Sequence, residues 1–136
     1  MNTFTLEIVA TDADFYQGPC EMLTVTATDG EKGILQGHEP MVMALAAGEL
    51  RYTVDGKQHI AAVGDGFAEI TGDKVVIISD FAEKPEDIDA KRAERDRIRA
   101  EERLKANESA VEYARAQAEL SHAVAQLKVI RKTLKQ

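Results

Sequence analysis

Phe81-Ala82-Glu83-Lys84-Pro85-Glu86-Asp87-Ile88-Asp89-Ala90-Lys91-Arg92-Ala93 is where one kind of sequence ends and another begins. Upstream, short apolar runs are punctuated by glycine, and all 9 glycines lie between Gly18 and Gly72. Downstream of Pro85 there is neither glycine nor proline, and Ala, Arg, Glu and Leu dominate, a composition that favours helix. The chain therefore reads as a β domain over residues 1–84 followed by a helical domain over residues 85–136.

Working back from that boundary, the β pattern repeats. Phe4, Leu6 and Ile8 alternate with Thr3, Thr5 and Glu7, the two-residue period of a strand with one buried face. Gly18-Pro19 breaks the run and Met22-Leu23-Thr24-Val25-Thr26 resumes it with β-favouring residues. Asp55-Gly56 separates Leu50–Val54 from His59–Val63, and Gly72-Asp73 separates Phe67–Ile70 from Val75–Ile78. Both are hairpin signals, because such turns need positive φ. About eight or more short strands without intervening helices predict a small antiparallel sandwich or barrel.

Working forward, two helices are expected, at about 87–106 and 109–134. Asp87 after Pro85 is the expected N-cap of the first, with Asp87 and Asp89 complementing its N-terminal dipole. Asn107-Glu108-Ser109 interrupts the run, and Ser109 with Glu112 has the spacing of a capping box. In the second helix Tyr113, Ala116, Leu120, Ala123, Leu127, Ile130 and Leu134 recur at alternating spacings of three and four, a coiled-coil-like seam. Ala93, Ala100 and Leu104 give the first helix a thinner stripe, so the pair should form an antiparallel hairpin. Alanine buries little area, whereas a fully buried Leu or Ile contributes ~1.5–3 kcal/mol. Such a hairpin is expected to be a movable appendage: about 30 Å long when folded at ~20 residues per helix, and about 70 Å if straightened into one rod.

Charge divides at the same place. Residues 1–84 carry 5 Lys+Arg against 14 Asp+Glu, and residues 85–136 carry 12 against 10, which together make the net charge of −7. An acidic β domain argues against nucleic acid as a partner, since phosphate neutralisation needs a basic surface. No apolar run reaches the ~18 residues of a membrane span, and Met1-Asn2-Thr3-Phe4 lacks the start of a secretory signal, so an intracellular chain is expected. A single cysteine, Cys20, leaves no disulfide within one chain and reads as a small buried hydrophobe.

Catalytic chemistry finds no foothold. There is no Gly-x-x-x-x-Gly-Lys-Ser/Thr loop, and Gly64-Asp65-Gly66 precedes strand-like residues, so it reads as a turn or bulge. His38, His59 and His122 share no metal-ligand spacing, and His38 is expected to bond local backbone. A cupin-type metalloenzyme would need clustered His and Glu ligands that are missing. The polar feature that stands out is Asp89, Arg92, Asp96, Arg99 and Arg103, which fall along one helical face. With Asp89 orienting Arg92, planar guanidinium forks on such a face suit phosphate oxygens. The competing reading is a solvated face laced with weak ion pairs.

Gly33-Ile34-Leu35-Gln36-Gly37-His38-Glu39-Pro40, followed by Leu45 and Gly48, resembles the signature loop of the epsilon subunits of bacterial F-type ATP synthases, the delta subunits of mitochondria. Gly64-Asp65-Gly66-Phe67-Ala68-Glu69 is similar to that family's Gly-Gly-Phe turn, with Asp65 in place of one glycine. Ala82-Glu83 and Ile88-Asp89 resemble its interdomain passage, and the order of features spans the whole chain. The resemblance implies a ten-stranded sandwich at the foot of the central stalk, joining the gamma subunit to the membrane ring of c subunits. It implies a non-catalytic rotor subunit that couples rotation to ATP synthesis and restrains ATP hydrolysis when its helices extend along gamma towards the alpha and beta subunits. The Glu31 loop would face the c-ring, His38 would lie towards gamma, and Arg115, Lys128, Arg131 and Lys132 would meet acidic beta-subunit surface. Association with the membrane would come only through the complex, at the cytoplasmic face of the bacterial inner (plasma) membrane.

The resemblance extends to a regulatory ligand. Ile88-Asp89-Ala90-Lys91-Arg92-Ala93 is similar to the Ile/Leu-Asp-x-x-Arg-Ala motif of members that bind ATP on the folded hairpin. It implies a nucleotide site at Glu83, Ile88, Asp89, Arg92 and Arg99, with ATP, with or without magnesium, as an effector and no cofactor required. Where those members bring a further pair of arginines from the last helix, this chain has His122 and Gln126. A β body carrying a helical hairpin would also suit a chaperone or adaptor, the alternative reading.

Overall fold

The computed structural model describes residues 2–11 and 13–134. Ten strands precede the helices: β1 Phe4–Ala10, β2 Ala13–Cys20, β3 Met22–Ala27, β4 Gly30–Ile34, β5 Met41–Leu45, β6 Gly48–Val54, β7 Lys57–Val63, β8 Gly66–Thr71, β9 Lys74–Ser79 and β10 Ala82–Glu83. Their hydrogen bonds form one path, β10-β7-β6-β3-β5-β8-β9-β1-β2, with β4 added beside β3. All pairings are antiparallel except β1 with β9. The path curls until β2 touches β6, making a nearly closed sandwich. The Phe4, Leu6 and Ile8 alternation faces inward as expected, beside Leu23, Leu50 and Ile77. Cys20 is buried there as a free thiol, and burial raises its pKa.

The glycine-marked turns have physical causes. Asp55 and Gly56 link β6 to β7 with φ of 52° and 76°, the paired positive angles of a type I′ hairpin. Gly66 is required for a different reason: a Cβ there would lie 1.8 Å from the Ile78 carbonyl oxygen of β9. Ahead of it, Asp65 Oδ1 accepts from the Ala47 N–H at 2.9 Å, so Gly64-Asp65-Gly66 is a tied turn.

Helix α1 spans Ala90–Ala106 and α2 spans Ala110–Leu134. The first starts later than expected, and Asp87 is not its cap. Pro85–Asp87 forms a single 3₁₀ turn and Ile88 returns to extended backbone, so the cap falls on Asp89, whose Oδ1 accepts from the Arg92 N–H at 3.1 Å. Asn107 ends α1 in the left-handed region, φ 46°, and Ser109 Oγ accepts from the Glu112 N–H at 3.1 Å. Only that half of the capping box forms, because the Glu112 carboxylate turns to Arg103 and Arg115.

The helices meet along Ala93, Ala100, Ala116 and Ala123, all buried. The expected seam of α2 fails at its ends: Tyr113 and Leu134 are exposed, while Ala125 and Val129, outside that seam, are buried. The cause is a second partner. Helix α2 also lies on β6 and β7, placing Ala125 and Val129 against Ala62, with Ile60, Phe81 and Ile88 around them. Sixteen buried apolar residues form the sandwich core, against three at this junction, so the hairpin is held by far less apolar burial than the body.

Candidate functional site

Strand β10 pairs Glu83 with Ala62 of β7, which fixes the Glu83 carboxylate at the rim of the sandwich where the chain leaves for α1. Helix α2 crosses above it. His122 Nε2 lies 2.7 Å from Glu83 Oε1, and Gln126 Nε2 donates to Oε1 at 3.0 Å and Oε2 at 3.2 Å. One helical turn separates His122 from Gln126, so both reach one carboxylate. The His122 ring stacks on Phe81 with centroids 3.7 Å apart and planes inclined by 22°.

Beside this clasp opens a cleft of about 430 Å³ between the two helices and the 3₁₀ turn. Asp89, Arg92, Asp96, Arg99 and Arg103 of the predicted face all line it, as do Glu83, Asp87 and Glu119. Arg103 is committed: Glu119 takes it at 2.5 Å and Glu112 at 3.1 Å, and these hydrogen bonds raise its pKa. Arg92 and Arg99 make no ion pair among the described residues. Asp89 does not orient the Arg92 guanidinium as the spacing suggested; its carboxylate caps the helix through the Arg92 backbone instead. The ion-paired face expected as the alternative exists elsewhere on α1, where Arg97 joins Glu94 and Glu101.

The five residues expected around a nucleotide separate. Glu83, Asp89, Arg92 and Arg99 line the cleft. Ile88 does not: it is half-buried in the apolar junction with Ala62, Ala125 and Val129, as a spacer between body and hairpin. The site is acidic in sum, with carboxylates from Glu83, Asp87, Asp89, Asp96 and Glu119 against three guanidiniums. Triphosphate oxygens would find Arg92 and Arg99, while the surplus carboxylates disfavour a bare polyanion.

The expected partner contacts are also spread out. His38 follows β4, and its Nδ1–H donates to the Glu39 carbonyl at 2.9 Å, the local bond foreseen for it. Glu31 on β4 is held by Arg51 at 3.2 Å, which draws its carboxyl pKa down. Arg115 pairs with Glu112 at 3.4 Å near the hairpin loop. Lys128 and Arg131 border a groove between the helices that also exposes Val124 and Leu134. Lys132 is engaged inside the molecule, donating to Glu49 Oε1 at 2.7 Å.

Glu49 is the residue that pattern reading passed over. Its side chain is fully buried beneath α2, and its Oε1 also takes Arg51 at 2.8 Å. Arg51 two positions along the same strand face was the one local signal of such a pair.

Comparison with known proteins agrees with this two-part geometry. Residues 3–85 match the ATP synthase delta/epsilon chain β-sandwich domain, and residues 86–131 match the long α-helix domain of the same chain. The chain is 45% identical over 127 residues to the ATP synthase epsilon chain of Ruminiclostridium cellulolyticum, covering 93% of this chain and 95% of that one. It is 40% identical over 131 residues to ATP synthase epsilon chain 2 of Ralstonia nicotianae, covering 96% and 94%. Among solved structures, a chain of the Euglena gracilis mitochondrial ATP synthase OSCP/F1/c-ring assembly superposes with a TM-score of 0.80. That likeness covers 97% of this chain and 81% of the other at 23% identity, a similarity of fold. Sandwich, hairpin and end-to-end sequence match converge: the chain belongs to the ATP synthase delta/epsilon chain family.

Proposed function

We propose that this protein is a non-catalytic central-stalk subunit of an F-type ATP synthase. The sandwich would join gamma to the c-ring, and the helical hairpin would restrain ATP hydrolysis by leaving the sandwich and extending towards the alpha and beta subunits. The observation that carries the reading is the thin junction under α2, with three buried apolar residues and two carboxylate clasps where the body has a full core. Such a contact can open while the sandwich stays folded. Once open, Lys132 is freed from Glu49, and with Lys128 and Arg131 it gives the last turns of α2 a basic patch that suits acidic beta-subunit surface, while Arg115 would make its contact separately, nearer the hairpin loop. Glu31 on β4 would face the c-ring, and His38 after it would lie towards gamma. Attachment would be through the complex, at the cytoplasmic face of the bacterial membrane; no helix among the described residues is long and apolar enough to cross a membrane.

The test is truncation. Complexes rebuilt with residues 1–84 alone should assemble and couple, and should hydrolyse ATP faster than complexes with the full chain. Unchanged hydrolysis would remove the restraining role.

A second reading concerns ATP itself, favoured by Arg92 and Arg99 facing the same cleft without ion-pair partners among the described residues. ATP would bind there as a weak effector, with those two arginines on phosphate oxygens and magnesium offsetting the surplus carboxylates. Because it would bind only the folded hairpin, it would shift the population towards that state. Calorimetry of the full chain with magnesium-ATP should give heats that vanish in Arg92→Ala; equal heats would dismiss the site.

A further inference from the structure

We propose that Arg51 couples docking of the hairpin to strand β4: it holds Glu31 while Lys132 neutralises Glu49, and when Lys132 leaves it is drawn onto Glu49 and lets Glu31 go. This takes from the stalk reading only that the hairpin opens, an event with its own readout.

Glu49 and Arg51 lie two positions apart on β6 and so point to one face of the sheet. Thr26 of β3 pairs with Glu31 of β4 and donates its hydroxyl to the Glu49 carbonyl at 3.1 Å, so the two carboxylates flank one residue. Arg51 spans the gap. Its Nη1 donates to Glu49 Oε1 at 2.8 Å, and Nη1 and Nη2 donate to Glu31 Oε2 and Oε1 at 3.3 and 3.2 Å. Lys132 Nζ donates to the same Glu49 Oε1 at 2.7 Å, while Oε2 of this fully buried side chain accepts from no described residue.

Two cations thus bond two carboxylates while α2 is down. The strands fix both carboxylates, so departure of Lys132 leaves one guanidinium between them. Its shorter bond is already to Glu49, whose idle Oε2 offers the second acceptor of a two-armed guanidinium–carboxylate pair. Glu31 is 50% exposed and can turn to water, so it is the carboxylate that gives way. Lys132 and Lys128 also attract Glu31 through space, but hydrogen bonding from Arg51 is the first cause of its lowered carboxyl pKa and those lysines are the least. By reciprocity, a cationic partner that takes Glu31 turns Arg51 wholly to Glu49 and favours release of the hairpin.

The measurement uses the isolated full chain carrying Val129→Cys, buried where α2 meets the sandwich, labelled with a pyridyl disulfide at neutral pH. Labelling of Leu134→Cys, 81% exposed, gives the reference rate, and Cys20, buried in the sandwich, reports opening of the body. Glu31→Gln imitates a Glu31 engaged elsewhere. It should speed labelling of Val129→Cys about two- to threefold, although the Glu31 carboxylate bonds only Arg51 among the described residues. Lys132→Met should speed it about fivefold in the parent but at most about twofold once Glu31→Gln is present. In Arg51→Met the Glu31→Gln effect should disappear. Should that variant expose Cys20, Arg51→Lys, which keeps the charge without the fork, should lose most of the effect. No effect of Glu31→Gln in the parent, an effect that persists unchanged without the Arg51 fork, or one that multiplies independently with Lys132→Met overturns the coupling. A Val129→Cys that never labels while Leu134→Cys reacts contradicts the opening on which the coupling stands. Hydrolysis by the assembled complex, read in the truncation experiment, is untouched by the outcomes that concern Glu31 alone.

Discussion

Lys132, in the last turn of α2, donates to Glu49 of β6 at 2.7 Å across 83 residues of chain. The bond fastens the far end of the hairpin to a carboxylate that the hairpin itself buries. With the Glu83 clasp and the Ala62–Ala125–Val129 contact, it gives α2 three attachments to the sandwich. Two of the three are polar and break into water at low net cost, which is why the hairpin can be folded and still releasable.

Lys132→Met keeps most of the apolar stem and removes the charge. Glu49 retains Arg51, so the loss is partial. Docking should weaken by about 1 kcal/mol, or roughly fivefold in the open population, after allowance for the half-exposed lysine. Thiol labelling at Val129→Cys reads that change; an unaltered rate would mean that the bond contributes nothing to docking.

Gly66→Ala places a methyl where the Ile78 carbonyl oxygen already sits, at 1.8 Å. Strands β8 and β9 must separate there, and destabilisation of the sandwich by more than about 3 kcal/mol is expected. Thermal unfolding measures it. A melting temperature within a degree or two of the parent's would show that the β8–β9 approach is looser than described.

Glu31 owes its depressed carboxyl pKa to Arg51, through hydrogen bonding first and charge second. Any stability from this pair is present above the ordinary carboxylate range and lost as pH falls through the depressed folded-state value. In Arg51→Met, NMR titration should show the Glu31 carboxyl moving back up towards its ordinary range. No movement would place the cause outside Arg51.

Asp89→Ala and Asp89→Asn separate cap from charge. The alanine variant loses the side-chain acceptor for the Arg92 N–H and should cost about 1 kcal/mol of α1 stability, whereas asparagine preserves the cap. Helix protection by hydrogen exchange reads the difference. If asparagine costs as much as alanine, the carboxylate charge matters more than the cap.

Features with a local cause were legible from residue order. The Phe4–Leu6–Ile8 alternation, the Asp55-Gly56 turn and the Ser109 cap depend on residues within a few positions of one another. The start of α1 was misplaced because Pro85 permits either a helix or a 3₁₀ turn, and packing of Ile88 into the junction decides between them. The two ends of the α2 seam were misread because periodicity reports that a face is buried without saying against what. Helix α2 has two partners, and Val129 answers to the sandwich. In the site, the line of charges from Asp89 to Arg103 was readable as one face, but the His122 and Gln126 bonds to Glu83 span 39 and 43 residues and leave no local trace. Glu49 was hidden for the same reason: nothing within its strand shows that a helix will cover it.

Native-state hydrogen exchange on the full chain tests the separable hairpin most directly. Amides of α2 should exchange through an opening at least 100-fold more frequent than that protecting β1, β6 and β9, because a weakly docked, alanine-rich hairpin unravels once released. Protection in α2 equal to that of the sandwich core would contradict a hairpin that leaves a folded body.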